Sequence, residues 1–201
     1  MNVAIIDYGS GNLRSAVKAF ERGASELGGG TVNLTSDPQE LLHASHIVLP
    51  GVGSFSDCMA GLLATDGMIE SLRRQVIGNN KPFLGICVGM QLMANIGQEN
   101  KKTNGFGWIP GEVVEISSGD STLKIPHMGW NDLIIHKPDH PAMSGLTDGA
   151  HAYFVHSYQF VTHNPKDILA TVNYGVPLTA AVAKNNLIGT QFHPVSYTHL
   201  R

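Results

Sequence analysis

A cysteine between two glycines, Gly85-Ile-Cys87-Val-Gly89, sits where the hydrophobic period of the chain changes, and that change limits what the chain can build. Phe83 to Ile86 form a wholly apolar run after Pro82 and read as a buried strand, and Val88 to Ile96 then follow at helical spacing. Cys87 therefore falls on a strand-to-helix corner. A glycine two residues to either side lets strand and helix approach closely, and the sharp turn between them pushes the side chain outward. This is the pattern of a nucleophile elbow with sulfur in place of oxygen. A helix start favours a thiolate, and the Val88 N–H can point at a developing oxyanion. The competing reading is a core cysteine, because free Cys is among the most buried residue types. A base elsewhere in the chain has to decide between them.

The same alternation runs back to the N-terminus. Val3 to Ile6, Thr31 to Leu34 and His46 to Pro50 read as strands, interleaved with a helix over Leu13 to Leu27, a short helix begun by Pro38 with Asp37 as its cap, and a helix from about Phe55. Strand–helix repetition up to residue 97 predicts an α/β fold with a flavodoxin-like, doubly wound and mostly parallel sheet. The glycines of Asp7-Tyr-Gly-Ser-Gly-Asn12 invite a phosphate-loop reading, but the G-x-G-x-x-G spacing fails and no Gly-Lys-Ser/Thr occurs, so a tight turn is expected. Pro50-Gly-Val-Gly53 ends the strand that precedes the Cys87 unit. Ligands sit at the carboxyl ends of such strands, so the Val52 and Gly53 N–H groups are candidates for an oxyanion, a simple turn being the alternative. Cys58 stands among Met59, Leu62 and Leu63 on a helix and reads as core.

Beyond residue 97 the texture changes. Glu112 to Ile116 and Thr122 to Ile125 predict antiparallel strands added at one edge of the sheet, joined by a Gly119-Asp120 hairpin turn. Tyr153 to Tyr158, Ile168 to Val172, Leu178 to Ala183 and Leu187 to Gln191 read as further strands. The last runs into Gln191-Phe-His193-Pro194, which places an imidazole at the rim of the crevice where it can accept the Cys87 proton. A histidine with a purely structural role is the other reading, since there are ten in the chain.

Composition removes several function classes. A formal charge of -3 gives no electrostatic case for nucleic acid or a membrane surface, and two cysteines suggest no disulfide framework. The chain enters a strand directly from Met1 without a basic leader and carries no apolar run of membrane-spanning length, so a cytosolic protein is expected. With 42% hydrophobic residues in 201 it can fill one core, and a single domain over residues 1–194 is expected, with neither metal nor organic cofactor.

These motifs resemble a known family, the class I glutamine amidotransferases. Gly85-Ile-Cys-Val-Gly-Met-Gln91 resembles their nucleophile elbow, and Gln191-Phe-His-Pro194 the histidine segment of their Cys-His-Glu triad. Asp7-Tyr-Gly-Ser-Gly-Asn-Leu13, Pro50-Gly-Val-Gly53, Pro126-His-Met-Gly-Trp-Asn131 and Tyr153-Phe-Val-His-Ser-Tyr158 are similar, within that family, to the glutaminase subunits of imidazole glycerol phosphate synthases; the likeness runs from residue 2 to 194. It implies hydrolysis of L-glutamine to glutamate and ammonia. The ammonia would go to a (β/α)8-barrel cyclase subunit, bound as a heterodimer, that makes imidazole glycerol phosphate in histidine biosynthesis. By the same resemblance Cys87 forms a γ-glutamyl thioester, while His193 protonates the departing ammonia and then activates water. Val88 N–H and the Val52–Gly53 peptide hold the oxyanion, the latter after a peptide flip. Gln91, Glu99, Ser157 and Tyr158 match glutamine-binding positions, and Asn12, Trp130 and Tyr153 match positions near the cyclase. Without the match, Glu99 would read as a solvated helix-end carboxylate and both aromatics as core.

One departure weighs against these likenesses. The family places Glu after His-Pro, and this chain has Val195, followed by Ser196 where a Lys is usual. Losing the analogous orienting hydrogen bond in serine proteases costs about 10⁴ in turnover. The resemblance therefore admits an impaired enzyme or a catalytically silent partner that binds the cyclase. Val195-Ser-Tyr-Thr-His-Leu-Arg201 has no family likeness, and the expectation is a non-native tail on a chain truncated before a closing helix. Resequencing the source locus tests this, since an open frame through these codons contradicts it.

Overall fold

The computed structural model describes residues 1–119 and 122–193. Its centre is an eight-stranded sheet whose middle strands are apolar without alternation, as a strand covered on both faces must be. These are β1 (Asn2–Ile6), β3 (His46–Gly51) and β4 (Phe83–Cys87), with β2 (Thr31–Thr35) on the outer side of β1. β1 pairs in parallel with both β2 and β3, and β3 pairs in parallel with β4, so the order of winding reverses between β1 and β3. The crevice of a doubly wound sheet opens at such a reversal, beyond the carboxyl ends of the strands. Here those ends are the loop after β1, the loop after β3 and Cys87.

Among the described residues, five α-helices lie between or after these strands. They are α1 (Leu13–Glu26), α2 (Glu40–His43), α3 (Phe55–Ala64), α4 (Met68–Leu72) and α5 (Val88–Gln91). The helical spacing predicted through Ile96 is realised as a helix only to Gln91. The segment at 106–109 competes for its carbonyls: Phe106 N–H donates to Leu92 O, Trp108 and Ile109 to Met93 O, and Gly107 to Ala94 O. Apolar period cannot register a partner that arrives from elsewhere in the chain.

The second half of the chain departs from the expected edge addition. Glu112 to Ile116 does form a strand, β7 (Gly111–Glu115), but in a separate four-stranded sheet with β5 (Ile96–Gly97), β6 (Thr103–Asn104) and β11 (Tyr158–Thr162). Residues 122–125 form no strand, and Asp120 lies outside the described residues. The run Tyr153 to Tyr158 divides at Ser157: β10 (His151–His156) forms a two-stranded ribbon with β8 (His127–Asp132), whereas β11 joins β7. The antiparallel edge of the main sheet consists instead of β9 (Ile134–Ile135), β12 (Ile168–Tyr174) and β13 (Val176–Lys184). β14 (Leu187–Thr190) joins the two halves, antiparallel to β13 and parallel to β4.

Two apolar clusters follow this division. One surrounds the parallel strands with Ile5, Leu49, Phe55, Leu62 and Phe83, and the other lies under the antiparallel edge with Phe154, Leu169, Val172 and Leu178. Among the described residues, no helix is long and apolar enough to cross a membrane.

Candidate active site

Cys87 is the last residue of β4 and adopts φ 56°, ψ -113°, outside the regions open to ordinary L-residues. A conformation of this kind costs on the order of 1–3 kcal/mol and persists only where the surroundings impose it. The flanking glycines supply that constraint. A Cβ on Gly89 would stand 1.8 Å from the Leu49 carbonyl oxygen, and one on Gly85 2.5 Å from that of Gly89, so neither position admits a side chain. β3 therefore presses directly on the start of α5, and the chain has to turn at Cys87.

Cys87 is buried, at 8% exposed. Burial pushes the thiol up to about 11; the Val88 N–H and the Gln191 amide oppose this, and the nearby Cys58 adds to it. At neutral pH the group is a thiol, and a nucleophilic role requires a base to take its proton.

The base candidate arrives on the neighbouring strand. β14 pairs with β4 so that Thr190 lies beside Ile86, and the chain then passes Cys87. Gln191 is the residue that touches the sulfur, its Nε2–H donating to Sγ at 3.5 Å. His193 follows two residues later, partly buried, and burial pushes its imidazole below the usual value. It is thus neutral near pH 7, the form that accepts a proton. No hydrogen bond joins His193 to Cys87 among the described residues; the ring lines an apolar groove of about 860 Å³ with Phe192, Trp130 and Tyr153. Gln191 is not among the sequence-predicted site residues, although its place at a strand end two residues before His193 is a usable signal.

The oxyanion candidates divide. Val88 N–H is near enough to the sulfur to favour its thiolate. Val52 N–H instead donates to Ser10 Oγ at 3.3 Å, and its carbonyl accepts from the Ser10 hydroxyl at 2.5 Å and the Cys58 thiol at 3.4 Å. Val52 is therefore held toward the β1 loop and away from Cys87 in this conformation. Gly53, at φ +97°, carries the freedom to re-aim this peptide. The β1 loop closes on itself, the Gly9 N–H donating to Asp7 Oδ1 at 3.0 Å, which is the tight turn expected of it. Cys58 is fully buried in the parallel-side core, as read from the sequence.

Of the residues matched to glutamine binding, Gln91 is buried, and its Nε2 donates to Tyr158 O at 3.2 Å and to Gln191 Oε1 at 3.0 Å. Glu99 is half-buried and accepts the Phe55 N–H at 2.7 Å, capping α3, so it is not a solvated helix-end carboxylate. It also lies near Tyr158, whose phenol is raised first by burial and then by Glu99 and Glu115. Ser157 sits at the break between β10 and β11, its carbonyl accepting the Ile116 N–H. Trp130 is 52% exposed and faces Tyr153 across the ribbon at 5.7 Å between ring centroids, so the pair forms surface, not core. Exposed Met128 and Val155 extend that apolar strip, and Asn12 is exposed at the start of α1. Among the described residues, no group of three or more His, Cys, Asp or Glu is placed to hold a metal ion.

Comparison with known proteins decides the family. The model of glutamine amidotransferase class-I matches residues 4–199. The chain belongs to the class-I glutamine amidotransferases. This amidotransferase is 55% identical over 198 residues to the imidazole glycerol phosphate synthase subunit HisH of Mesorhizobium japonicum, covering 96% of this chain and 91% of that protein. The HisH subunits of Agrobacterium fabrum and Rhodospirillum rubrum are 54% and 52% identical over the same shares of each chain. A solved glutamine amidotransferase shares the fold with a TM-score of 0.71 at 18% identity, covering 96% of this chain and 89% of its own. The glutaminase domain of Trypanosoma brucei CTPS, solved with bound acivicin, gives 0.66 at 18% identity, covering 96% and 86%. At these identities the solved structures speak to the fold alone.

Proposed function

We propose that this amidotransferase hydrolyses L-glutamine to glutamate and ammonia at Cys87 and passes the ammonia to a (β/α)8-barrel cyclase subunit, bound as a heterodimer, that makes imidazole glycerol phosphate. The observation that carries the reading is the Cys87 corner: a strained backbone fixed by two glycines, a thiol at the carboxyl edge of a parallel sheet, and the Val88 N–H near the sulfur. More than 50% identity to HisH subunits along 96% of the chain supports the choice of substrate and partner.

In this mechanism His193, neutral through burial, takes the Sγ proton as sulfur adds to the side-chain amide carbon of glutamine. The oxyanion that forms is held by Val88 N–H and by the Gly53 N–H once the Val52–Gly53 peptide re-aims. Collapse breaks the C–N bond, and the imidazolium returns its proton to the leaving ammonia. Water, deprotonated by the same ring, then hydrolyses the thioester to glutamate and regenerates the thiol. Catalytic hydrogen bonds tighten in the substrate complex, which accommodates the absence of a Cys87–His193 bond in the free protein. Gln91, Glu99, Ser157 and Tyr158 would hold the amino-acid end, Glu99 suiting an α-ammonium group. Asn12, Trp130 and Tyr153 would lie at or beside the cyclase. Two free thiols fit a reducing cytoplasm.

The triad carboxylate is the open element, because the residue after Pro194 is Val195, outside the described residues. Ammonia release from glutamine, measured with and without the cyclase for this chain and for Val195→Glu, is the test. Activity that Glu raises by about 10²–10⁴ supports the reading with only the orienting carboxylate missing. Silence of both forms with cyclase binding retained overturns it in favour of a non-catalytic partner.

A further inference from the structure

Two buried histidines lie between the exposed aromatic ribbon and the thiol. His127 and His156, 2% and 7% exposed, approach at 3.0 Å between Nδ1 and Nε2. Neither is needed for the chemistry above, yet their tautomers are fixed by their neighbours. His156 Nδ1 lies 2.8 Å from the Tyr158 carbonyl oxygen, which only accepts, so Nδ1 carries the hydrogen and Nε2 the lone pair. His127 Nδ1 must then donate to that lone pair, leaving its own Nε2 to accept from Asn131 Nδ2 at 3.2 Å. The second Asn131 hydrogen goes to the Asn173 carbonyl at 2.9 Å. Stacking of His127 on Phe154 holds its ring in plane, and burial disfavours the charged form of both rings.

The chain of bonds continues. The Tyr158 carbonyl has a second lone pair, filled by Gln91 Nε2; the other Gln91 hydrogen goes to Gln191 Oε1, and Gln191 Nε2 donates to Cys87 Sγ. His156 Nδ1 and Gln91 Nε2 thus share one acceptor, so the place of the Tyr158 oxygen, which His156 helps to fix, sets where Gln91 and through it Gln191 can lie. We infer that His127 and His156 are positioning residues for the thiol site, holding Gln91 and Gln191 in register with Cys87 through the Tyr158 carbonyl. The inference builds on the assignment of Cys87 as nucleophile, and its test separates the two.

Two variants and two readouts that do not depend on turnover decide it. His156→Phe keeps a ring but removes both bonds, whereas His156→Gln keeps a donor for Tyr158 O and an acceptor for His127. With the cyclase present, His156→Phe is expected to lower kcat for ammonia release about 10–100-fold with a smaller change in KM, as for a misplaced supporting shell. His156→Gln should recover most of it. Alkylation of Cys87 by iodoacetamide should slow at least about threefold in His156→Phe, because the Gln191 donor that favours the thiolate is loosened. ¹⁵N spectra of the unaltered protein should show both rings as the Nδ1–H tautomer. An Nε2–H tautomer at His156, unchanged alkylation in a folded His156→Phe, or a Gln variant as impaired as the Phe variant overturns the inference. If neither the unaltered protein nor Val195→Glu releases ammonia, the function reading fails while the alkylation and tautomer arms still decide this one.

Discussion

Cys87 and His193 leave adjacent parallel strands, yet the two ends are held by different physics. The Cys87 end is fixed by backbone against backbone, β3 resting on α5 where two missing side chains allow contact. The His193 end is set by side chains, with Gln191 on the sulfur and the imidazole three residues beyond β14, against an apolar groove. A nucleophile made by sterics is complete in the free chain, whereas a base carried on a strand end takes its final position from what packs around it.

Four measurements sharpen or break this contrast, from the largest effect to the smallest. Cys87→Ala should abolish ammonia release, a loss of up to about 10⁶ in kcat, with the fold intact by circular dichroism. Residual turnover above about one hundredth would remove the thiol from the chemistry. Gly89→Ala sets a Cβ 1.8 Å from Leu49 O and should destabilise the fold by more than about 3 kcal/mol, read as a lowered denaturant midpoint. A neutral outcome would mean that the corner is not sterically locked. His193→Gln should cost about 10²–10⁴ in kcat while leaving the denaturant midpoint within about 1 kcal/mol, since the strand end is less tightly built.

The fourth measurement is stability against pH. Burial drives His156 down to about 4 from 6.5, and His127 and His193 in the same direction. The unfolded chain then binds more protons than the folded one, so stability is full above pH 6.5 and falls as pH drops toward 4. His156 alone contributes roughly 3 kcal/mol to that loss. Cys87 works at the other end: its folded value of about 11 lies above the ordinary 9.0, so stability falls as pH rises between them. Denaturation midpoints across pH 4–11 check both arms, and His156→Gln should flatten the acidic one.

The parallel half of the molecule was legible in the sequence because its signals are local. Apolar runs bounded by glycine gave β1, β3 and β4, and the glycine pair around Cys87 gave the corner. What escaped depended on distant partners. α5 stops after one turn because 106–109 takes the carbonyls of residues 92–94 that would extend it, and Tyr153 to Tyr158 reads as one strand although its halves serve two sheets. The place of Val52 after β3 makes it a candidate oxyanion donor beside the simpler reading of a turn, and nothing local in Pro50-Gly-Val-Gly53 reveals that Ser10, on another loop, holds its N–H.

The division at Ser157 has a structural consequence. β10 and β11 are consecutive in the chain but belong to separate sheets, so one residue carries the chain from the ribbon to the four-stranded sheet. The first carbonyl beyond it, that of Tyr158, accepts from both His156 and Gln91. That crossing therefore brings a histidine of the ribbon and a glutamine of the cysteine corner onto a single oxygen.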